Sequence, residues 1–383
     1  MASHPPIGYC TNVHSGNCVD EVVDKLKQYS LAVKTELDFD VLNIGLWLNE
    51  RSVAELESPQ ALAAFRSFLI DNGLNPYTFN AFPQKDFHQD IVKHSVYEPD
   101  WSTDERLDYT VRLARLIPDL LSDRRHATIS TLPLGWRHDQ AQDFEFACRK
   151  QMTRFIEAAE QIETDKQFHL RLCIEPEPGC HLGNHTLLHR FFEKWLAQLS
   201  EVEASRLQRY LGVCHDVCHS AVLFEDQASV LRRYADIGIE IAKVQVSSAV
   251  KARFQNALDS QNLKKQLADF AEPKYLHQTC VDGQRFYQDL NEALDHESAN
   301  GEWRVHFHVP IHAKSLLGGL ETTQQQILEA IQFLQHRKDK IDWEVETYAW
   351  SVLPENQKPL SLTHSTLNEI KWLQATFDSI VKM

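Results

Sequence analysis

Short apolar runs alternate with helical periods along the whole of this 383-residue chain. Nine runs read as strands: IGYCTNV, VLNIGLWLN, NPYTFNAF, ATISTLPLGW, FHLRLCIEPEP, YLGVCHDVCH, IAKVQVSSA, WRVHFHVPIH and DWEVETYAW. Amphipathic segments lie between them. Over 20–37, Val22, Val23, Leu26, Tyr29, Val33 and Leu37 recur at the helical spacing. The next helix is punctuated by Ser58 as cap, Pro59 at its first position and Gly73 just past its end. Leu187, Leu188, Phe191, Phe192, Trp195 and Leu196 form one face of 184–199, and 321–337 and 365–382 are amphipathic as well.

Regular strand–helix alternation predicts a parallel sheet with helices outside it. Eight such units close into a (β/α)8 TIM barrel of about 250 residues, so the remaining length belongs in loops and one insertion. Nine candidates are one too many for eight places. The segment 303–312 follows a long insertion beginning near 248, and it reads as an extra strand or loop segment near the C-terminal face of the barrel. A doubly wound open sheet is the runner-up, weakened because no glycine-rich phosphate loop follows the first strand. No internal repeat, low-complexity tract or linker divides the chain, which reads as one domain over 1–383.

In a barrel the C-terminal ends of the strands face the active site. Here those ends are polar: Glu175 and Glu177 on the fifth, Asp216 with His219 on the sixth, Gln245 on the seventh, and Glu344 and Glu346 on the last. The extra segment adds His306, His308 and His312. The strand period puts Glu175 with Glu177, and Glu344 with Glu346, on one face. Leu172, Ile174, Val244, Val246, Trp343 and Val345 take the alternate positions and turn the carboxylates inward. Carboxylates converging in one pocket repel one another, and a divalent cation is the usual compensation. Mixed carboxylate, amide and imidazole donors suit Mn2+, Zn2+, Fe2+ or Mg2+.

Charge and cysteine content narrow the function. Asp plus Glu number 54 against 39 Lys plus Arg, a formal charge of −15. No basic patch offsets it, so a nucleic-acid partner is disfavoured. The opening MASHPPIGYCTNVHSG carries no basic segment followed by an apolar run, so no signal peptide is read, and no apolar stretch is long enough to span a membrane. The eight scattered cysteines read as reduced thiols in a cytoplasmic protein.

The stretch GVCHDVCHS, 212–220, concentrates metal-ligating residue types. A cysteine zinc knuckle needs two Cys-x2-Cys pairs; Cys214 and Cys218 are four apart and no pair recurs. They read as small buried hydrophobes, which leaves Asp216 and His219 as the functional candidates. HDVCHS resembles the aspartate–histidine segment of xylose-isomerase-like barrels, a superfamily that includes sugar epimerases and a DNA-repair endonuclease. CIEPEPG and VETYAW fall where that superfamily has metal-binding glutamates. Within it, YCTNVHSG, FNAFPQKDFH, VYEPDW, LHQTCVDG and VHFHVPIH resemble the metabolite traffic protein EboE family over nearly the whole chain. The resemblance implies a divalent metal held by Glu175, Asp216, the seventh-strand residue and Glu346. The seventh-strand position, usually histidine, is Gln245 here. His308 is a substitute ligand from the extra segment, with His219 and His306 as second candidates.

Other positions read two ways. Glu177, flanked by prolines, is either a site residue or part of a loop. Asn12, His14, Asn80 and His88 follow the first and third strands and are candidates for substrate contact. Trp136 and Trp350 either wall a pocket or pack in the core. Arg137 and His138 are weak candidates for gripping an anion. Lys243 and Glu344, one layer below Gln245 and Glu346, read as a structural ion pair rather than a catalytic lysine. The function expected is metal-dependent isomerisation or epimerisation of a small sugar, polyol or sugar-like metabolite, with Glu175 and Glu346 handling the proton and His306 and Glu177 near the substrate. The alternatives are a metabolite-binding or trafficking protein without turnover, and phosphodiester cleavage, which the charge opposes.

Overall fold

The computed structural model describes residues 4–14, 16–85, 91–121, 124–137, 141–255, 257–358 and 361–380. Its first seven strands are Ile7–Cys10 (β1), Leu42–Trp47 (β2), Leu74–Asn80 (β3), His126–Thr131 (β4), His169–Ile174 (β5), Leu211–Asp216 (β6) and Ile241–Val246 (β7). Then come Val250–Phe254 (β8), Thr279–Val281 (β9), Arg285–Tyr287 (β10), Gly301–Val305 (β11), Glu321–Thr322 (β12) and Asp342–Val345 (β13). Strands β1 to β7 and β13 form a closed barrel in which every pairing is parallel. The (β/α)8 architecture expected from the alternation is the one found.

Eight of the nine strand candidates supply the barrel. The ninth is split. Trp303 to Val305 belong to β11 in a second sheet, ordered β10-β9-β11-β8-β12, while 306–312 carry no strand. This sheet is antiparallel throughout. It occupies the insertion between β7 and β13 and reaches Thr322, beyond the segment read as inserted. It has its own apolar core, in which Val250, Phe254, Leu267, Phe270, Trp303 and Phe307 pack together.

Helix punctuation follows local chemistry. Ser58 Oγ accepts from the backbone N–H of Ala61, Pro59 opens the helix Pro59–Asp71, and Gly73 leaves it at φ 62°. The segment 20–37 is helical from Val19 to Leu37, with a π turn over Leu26–Ser30. The helices His185–Leu196, Gln324–Leu334 and Leu362–Ile380 cover the outside of the barrel.

The barrel interior holds a buried ion pair. Lys243 Nζ lies 2.7 Å from Glu344 Oε2, and neither side chain is exposed. The Glu344 carboxylate occupies the space in front of Gly45 on β2, where a Cβ would fall 1.1 Å from its Oε1. Glycine at 45 is thus a condition of the charge being there. Gly45→Ala should displace Glu344 from Lys243 and lower stability by about 1–3 kcal/mol, the usual cost of overpacking. A denaturant midpoint equal to that of the parent would contradict this.

Candidate metal centre

The strand ends deliver the carboxylates. Parallel pairing continues one residue past β5 and β13: Glu175 N–H donates to Thr131 O (3.0 Å) and Glu346 N–H to Val246 O (3.1 Å). Asp216 ends β6 and caps the helix Val217–Val222; its Oδ1 accepts from His219 N–H and from Ser247 Oγ, each at 2.8 Å. Gln245 lies level with Asp216 on one side and Glu344 on the other. Carboxylate oxygens of Glu175, Asp216 and Glu346 all fall within 4.8 Å of one another, and all three residues are buried.

Three acceptor atoms here have no hydrogen-bond partner among the described residues: Asp216 Oδ2, Gln245 Oε1 and His308 Nε2. His308 Nδ1 lies 2.9 Å from the Glu346 carbonyl oxygen, so Nδ1 carries the proton and Nε2 offers its lone pair. That Nε2 is 3.9 Å from Asp216 Oδ2. His219 is oriented the same way, its Nδ1 donating to Pro176 O at 2.9 Å. Burial holds the imidazole of His219 down to about 3 and that of His308 to about 4, so both are neutral. Burial pushes Glu175 and Glu346 well above the usual carboxylate range, and repulsion from each neighbouring carboxylate adds to it. Buried acceptors without donors, imidazoles pinned by their far nitrogen and mutually repelling carboxylates are what a divalent cation requires. The residues present fit one.

Above this floor lies a second cluster. Glu177 Oε1 accepts from Tyr97 OH (2.5 Å) and Gln278 Nε2 (3.2 Å), while burial raises its carboxyl to about 7. His306 Nδ1 donates to Gln278 Oε1 at 2.7 Å, and its Nε2 faces Tyr348 OH at 3.4 Å. Donor atoms of Glu177, His219 and His306 converge within 4.8 Å, as do those of Asp216, His219 and His308. Cys218 Sγ is equally close to His306 and His308. Burial drives that thiol far above its ordinary value, and it packs with Val222 and Ala249 as a neutral hydrophobe. Cys214 lies in the small cluster with Cys173 and Ala242, and all eight cysteines are free.

The remaining candidates divide. Asn12 donates to Glu346 Oε1 at 2.6 Å. Asn80 Oδ1 accepts from Lys243 Nζ, Ser130 Oγ and Gln245 Nε2 at 2.8, 2.7 and 3.2 Å. Both asparagines line the main pocket with Glu175, Glu177, His219, His306, His308 and Glu346. The pocket encloses about 640 Å3, its open mouth included. His14 sits apart from it. Its ring stacks on Tyr29 at 4.7 Å, its Nε2 meets Tyr9 OH at 3.0 Å, and it lines a small separate cavity. Trp136 stands behind the pocket, 5.0 Å from the Tyr97 ring. Trp350 packs against the core of the inserted sheet, Arg137 is exposed and His312 is half-buried outside the pocket. His88 and His138 lie outside the described residues. Sequence reasoning missed Tyr97, Ser247, Gln278 and Tyr348 as individual site residues, since nothing local marks a tyrosine or glutamine in a loop as facing a barrel mouth.

The raised carboxyls have a consequence for pH. Above about pH 7.5 histidines are largely neutral in the unfolded chain too, so the raised acids are then what distinguishes the two states. The folded chain retains protons on Glu175 and Glu346 that the unfolded chain, with carboxyl values near 4.3, has released. Stability contributed by this retention is complete below about pH 4.3 and is lost as pH rises through the folded values. The melting temperature of the chelated protein should therefore fall from about pH 7.5 to 8.5. Excess Mn2+ should reduce the fall, leaving the part that belongs to Glu177, outside the ligand set. A chelated protein whose melting temperature is flat or rising over that range would contradict the charge reading.

No family model matches the sequence, and no curated relative does. Solved structures do share the fold. A xylose isomerase-like TIM barrel protein from Mycobacterium smegmatis in complex with magnesium superposes with a TM-score of 0.56 at 13% identity, covering 99% of each chain. A D-tagatose 3-epimerase-like protein gives 0.51 at 10% identity over 98% of each chain, and a xylose isomerase domain protein from Planctomyces limnophilus 0.50 at 10% over 99% of each. At such identities the likeness shows the fold alone: this chain has the (β/α)8 barrel fold that these xylose isomerase-like and epimerase-like proteins share. No helix among the described residues is long and apolar enough to cross a membrane.

Proposed function

We propose that the protein is a metal-dependent isomerase or epimerase of a small sugar-like or polyol metabolite, related to the EboE metabolite traffic family and acting in the cytoplasm. The observation that carries this reading is the set of buried, unpartnered acceptors at Asp216, Gln245 and His308 beside Glu175 and Glu346. Glu175, Asp216, Gln245 and Glu346 hold the cation, with His308 and His219 as further ligands. The magnesium named for the Mycobacterium smegmatis barrel supports a cation in a fold of this kind. The eight free thiols support a reducing compartment.

The bound cation, Mn2+, Zn2+, Fe2+ or Mg2+, supplies Lewis acidity toward a carbonyl or vicinal oxygens of the substrate. Glu175 and Glu346 approach from different strands. One takes the proton from the carbon beside the carbonyl, the electron pair moves toward the carbonyl oxygen, and the other returns a proton. Asn12 orients Glu346 through its 2.6 Å bond. Ser247 and His219 N–H fix one oxygen of Asp216 and leave the other free for the cation. The acidic pocket supports a small-molecule partner over a polyanion.

The test is exchange of the carbon-bound proton. Incubated in D2O with Mn2+ and a panel of neutral α-hydroxy carbonyl compounds, short ketoses, aldoses and aryl hydroxyketones among them, the protein should incorporate deuterium beside the carbonyl of its substrate. Chelation, Glu175→Gln and Glu346→Gln should each abolish this. Binding of a panel member without exchange would replace the enzyme by a metabolite carrier.

A further inference from the structure

The insertion between β7 and β13 reaches the barrel mouth, where its Tyr275, Leu276, His306 and His308 line the pocket. Toward the floor the lining is polar. Toward the mouth it changes to Phe82, Pro83 and Val96 from the segment after β3, and to Tyr275 and Leu276 from the insertion. Tyr275 packs edge-on against Tyr348 at 5.5 Å, and Phe82 stacks on Tyr97 at 5.8 Å, which fixes the rings as walls.

Apolar walls alone are ordinary for a small-molecule site. Two further features discriminate here. First, the polar groups of the upper pocket are spent on each other. Tyr97 OH donates to Glu177, Gln278 bridges Glu177 and His306, and Tyr348 OH meets His306. The outer hydroxyls of an open-chain polyol would leave water without gaining equivalent partners. Second, the charge is one-sided. Glu175, Glu177 and Glu346 line the pocket and Asp216 lies beneath it. Lys93 is the lysine or arginine lining it among the described residues, and it is ion-paired with Asp289. A divalent ion against the carboxylates of Glu175, Asp216 and Glu346 still leaves the site negative. A phosphate or carboxylate on the substrate would meet repulsion with no guanidinium or unengaged ammonium to hold it.

We propose that the substrate is an uncharged metabolite with two unlike ends: an α-hydroxy carbonyl or vicinal diol over the metal floor, and an apolar, ring-bearing end between the Phe82–Val96 wall and Tyr275–Leu276. This rests on the metal-site reading above and deepens it, because it excludes sugar phosphates and disfavours long free polyols. The segments over the barrel mouth, after β3 and in the insertion, are the specificity element rather than the barrel strands.

The experiment uses the full chain, first titrated with Mn2+, then with three probes sharing one chelating group: hydroxyacetone, dihydroxyacetone phosphate and 2-hydroxyacetophenone. Calorimetry should show 2-hydroxyacetophenone binding at least about 10-fold tighter than hydroxyacetone, with the phosphate the weakest. Tyr275→Ala and Leu276→Ala should each shrink the advantage of the phenyl compound and leave both Mn2+ uptake and hydroxyacetone affinity unchanged. Equal affinities for the two neutral probes, a preference for the phosphate, or no binding of any probe by the metal-loaded chain would overturn the proposal alone. A chain that takes up no Mn2+ would overturn the metal-site reading and the proposal with it.

Discussion

Asp216→Asn is expected to leave the protein folded and without its metal. Asparagine keeps an oxygen for the two bonds that Oδ1 accepts, from His219 N–H and Ser247 Oγ, and it is as good a helix cap as aspartate. It removes the negative charge. Where Oδ2 stood, it also puts an N–H2 donor facing His308 Nε2, 3.9 Å away in the parent. Loss of an outer partner of a metal ligand costs about 10–100-fold in affinity, so loss of a charged ligand should weaken binding by more than about 100-fold. Cys214→Ser and Cys218→Ser should retain the metal, although Cys218 lies close to His306 and His308. The measurement is metal per chain after dialysis, with thermal unfolding as the control for folding. Serine variants that lose metal while the asparagine variant keeps it would make the centre thiolate-based.

Lys243→Met should strongly destabilise the barrel interior. Lys243 Nζ contacts Glu344 Oε2 at 2.7 Å, Asn80 Oδ1 at 2.8 Å and Ser130 Oγ at 3.2 Å. Burial works against its charge, and Glu344 more than offsets this, holding the ammonium above the usual lysine range. Removing it leaves Glu344 without its counter-ion in a site with no exposure, held only by Asn80 Nδ2 at 3.1 Å among the described residues, at a cost of about 3–5 kcal/mol. Adding Glu344→Gln should recover most of that loss by removing the orphaned charge. Unaltered stability in the single variant, with turnover abolished, would move Lys243 from a structural to a catalytic role.

The barrel was legible because its strands are local apolar runs, several of them, such as β5, β7 and β13 with the residues that follow, carrying inward polar positions at period two. Glu175, Glu177, Asp216, His219, Gln245, Glu344 and Glu346 could be named together because strand ends in a parallel barrel share one face, and the resemblance to xylose-isomerase-like barrels singled out Glu175, Asp216, the seventh-strand residue and Glu346 among them. Lys243 and Glu344 followed from the same layering. The inserted sheet was less legible. Its β9 and β12 span three and two residues, too short for a periodic signal, and β8 shows only Val250, Ala252 and Phe254 alternating with Lys251 and Arg253. One sign was present and unused: Asp282-Gly283, both at positive φ (52° and 67°), turns β9 into β10. The roles of Tyr97, Gln278 and Tyr348 depend on segments far apart in sequence meeting over the barrel mouth, and no local pattern encodes that. His14 shows the converse. It follows a barrel strand as a site residue would, yet a turn of backbone directs it against Tyr29.

The pairing of β1 with β13 also sets a timetable. Trp343 lies beside Ile7, so the ring closes between elements from opposite ends of the chain. At a synthesis rate of ~5–20 residues per second, on the order of half a minute separates the appearance of the two strands at the ribosome. In the last part of that interval, once Lys243 has been made, it has no Glu344 to neutralise it, and the carboxylates of Glu175 and Asp216 lack Glu346 across from them. The half-built sheet is left with two open edges and a lysine that favours water over the interior. Closure, desolvation of the lysine and completion of the carboxylate cluster thus fall in one late step, and β13, which supplies Glu344 and leads into Glu346, is the element that triggers all three.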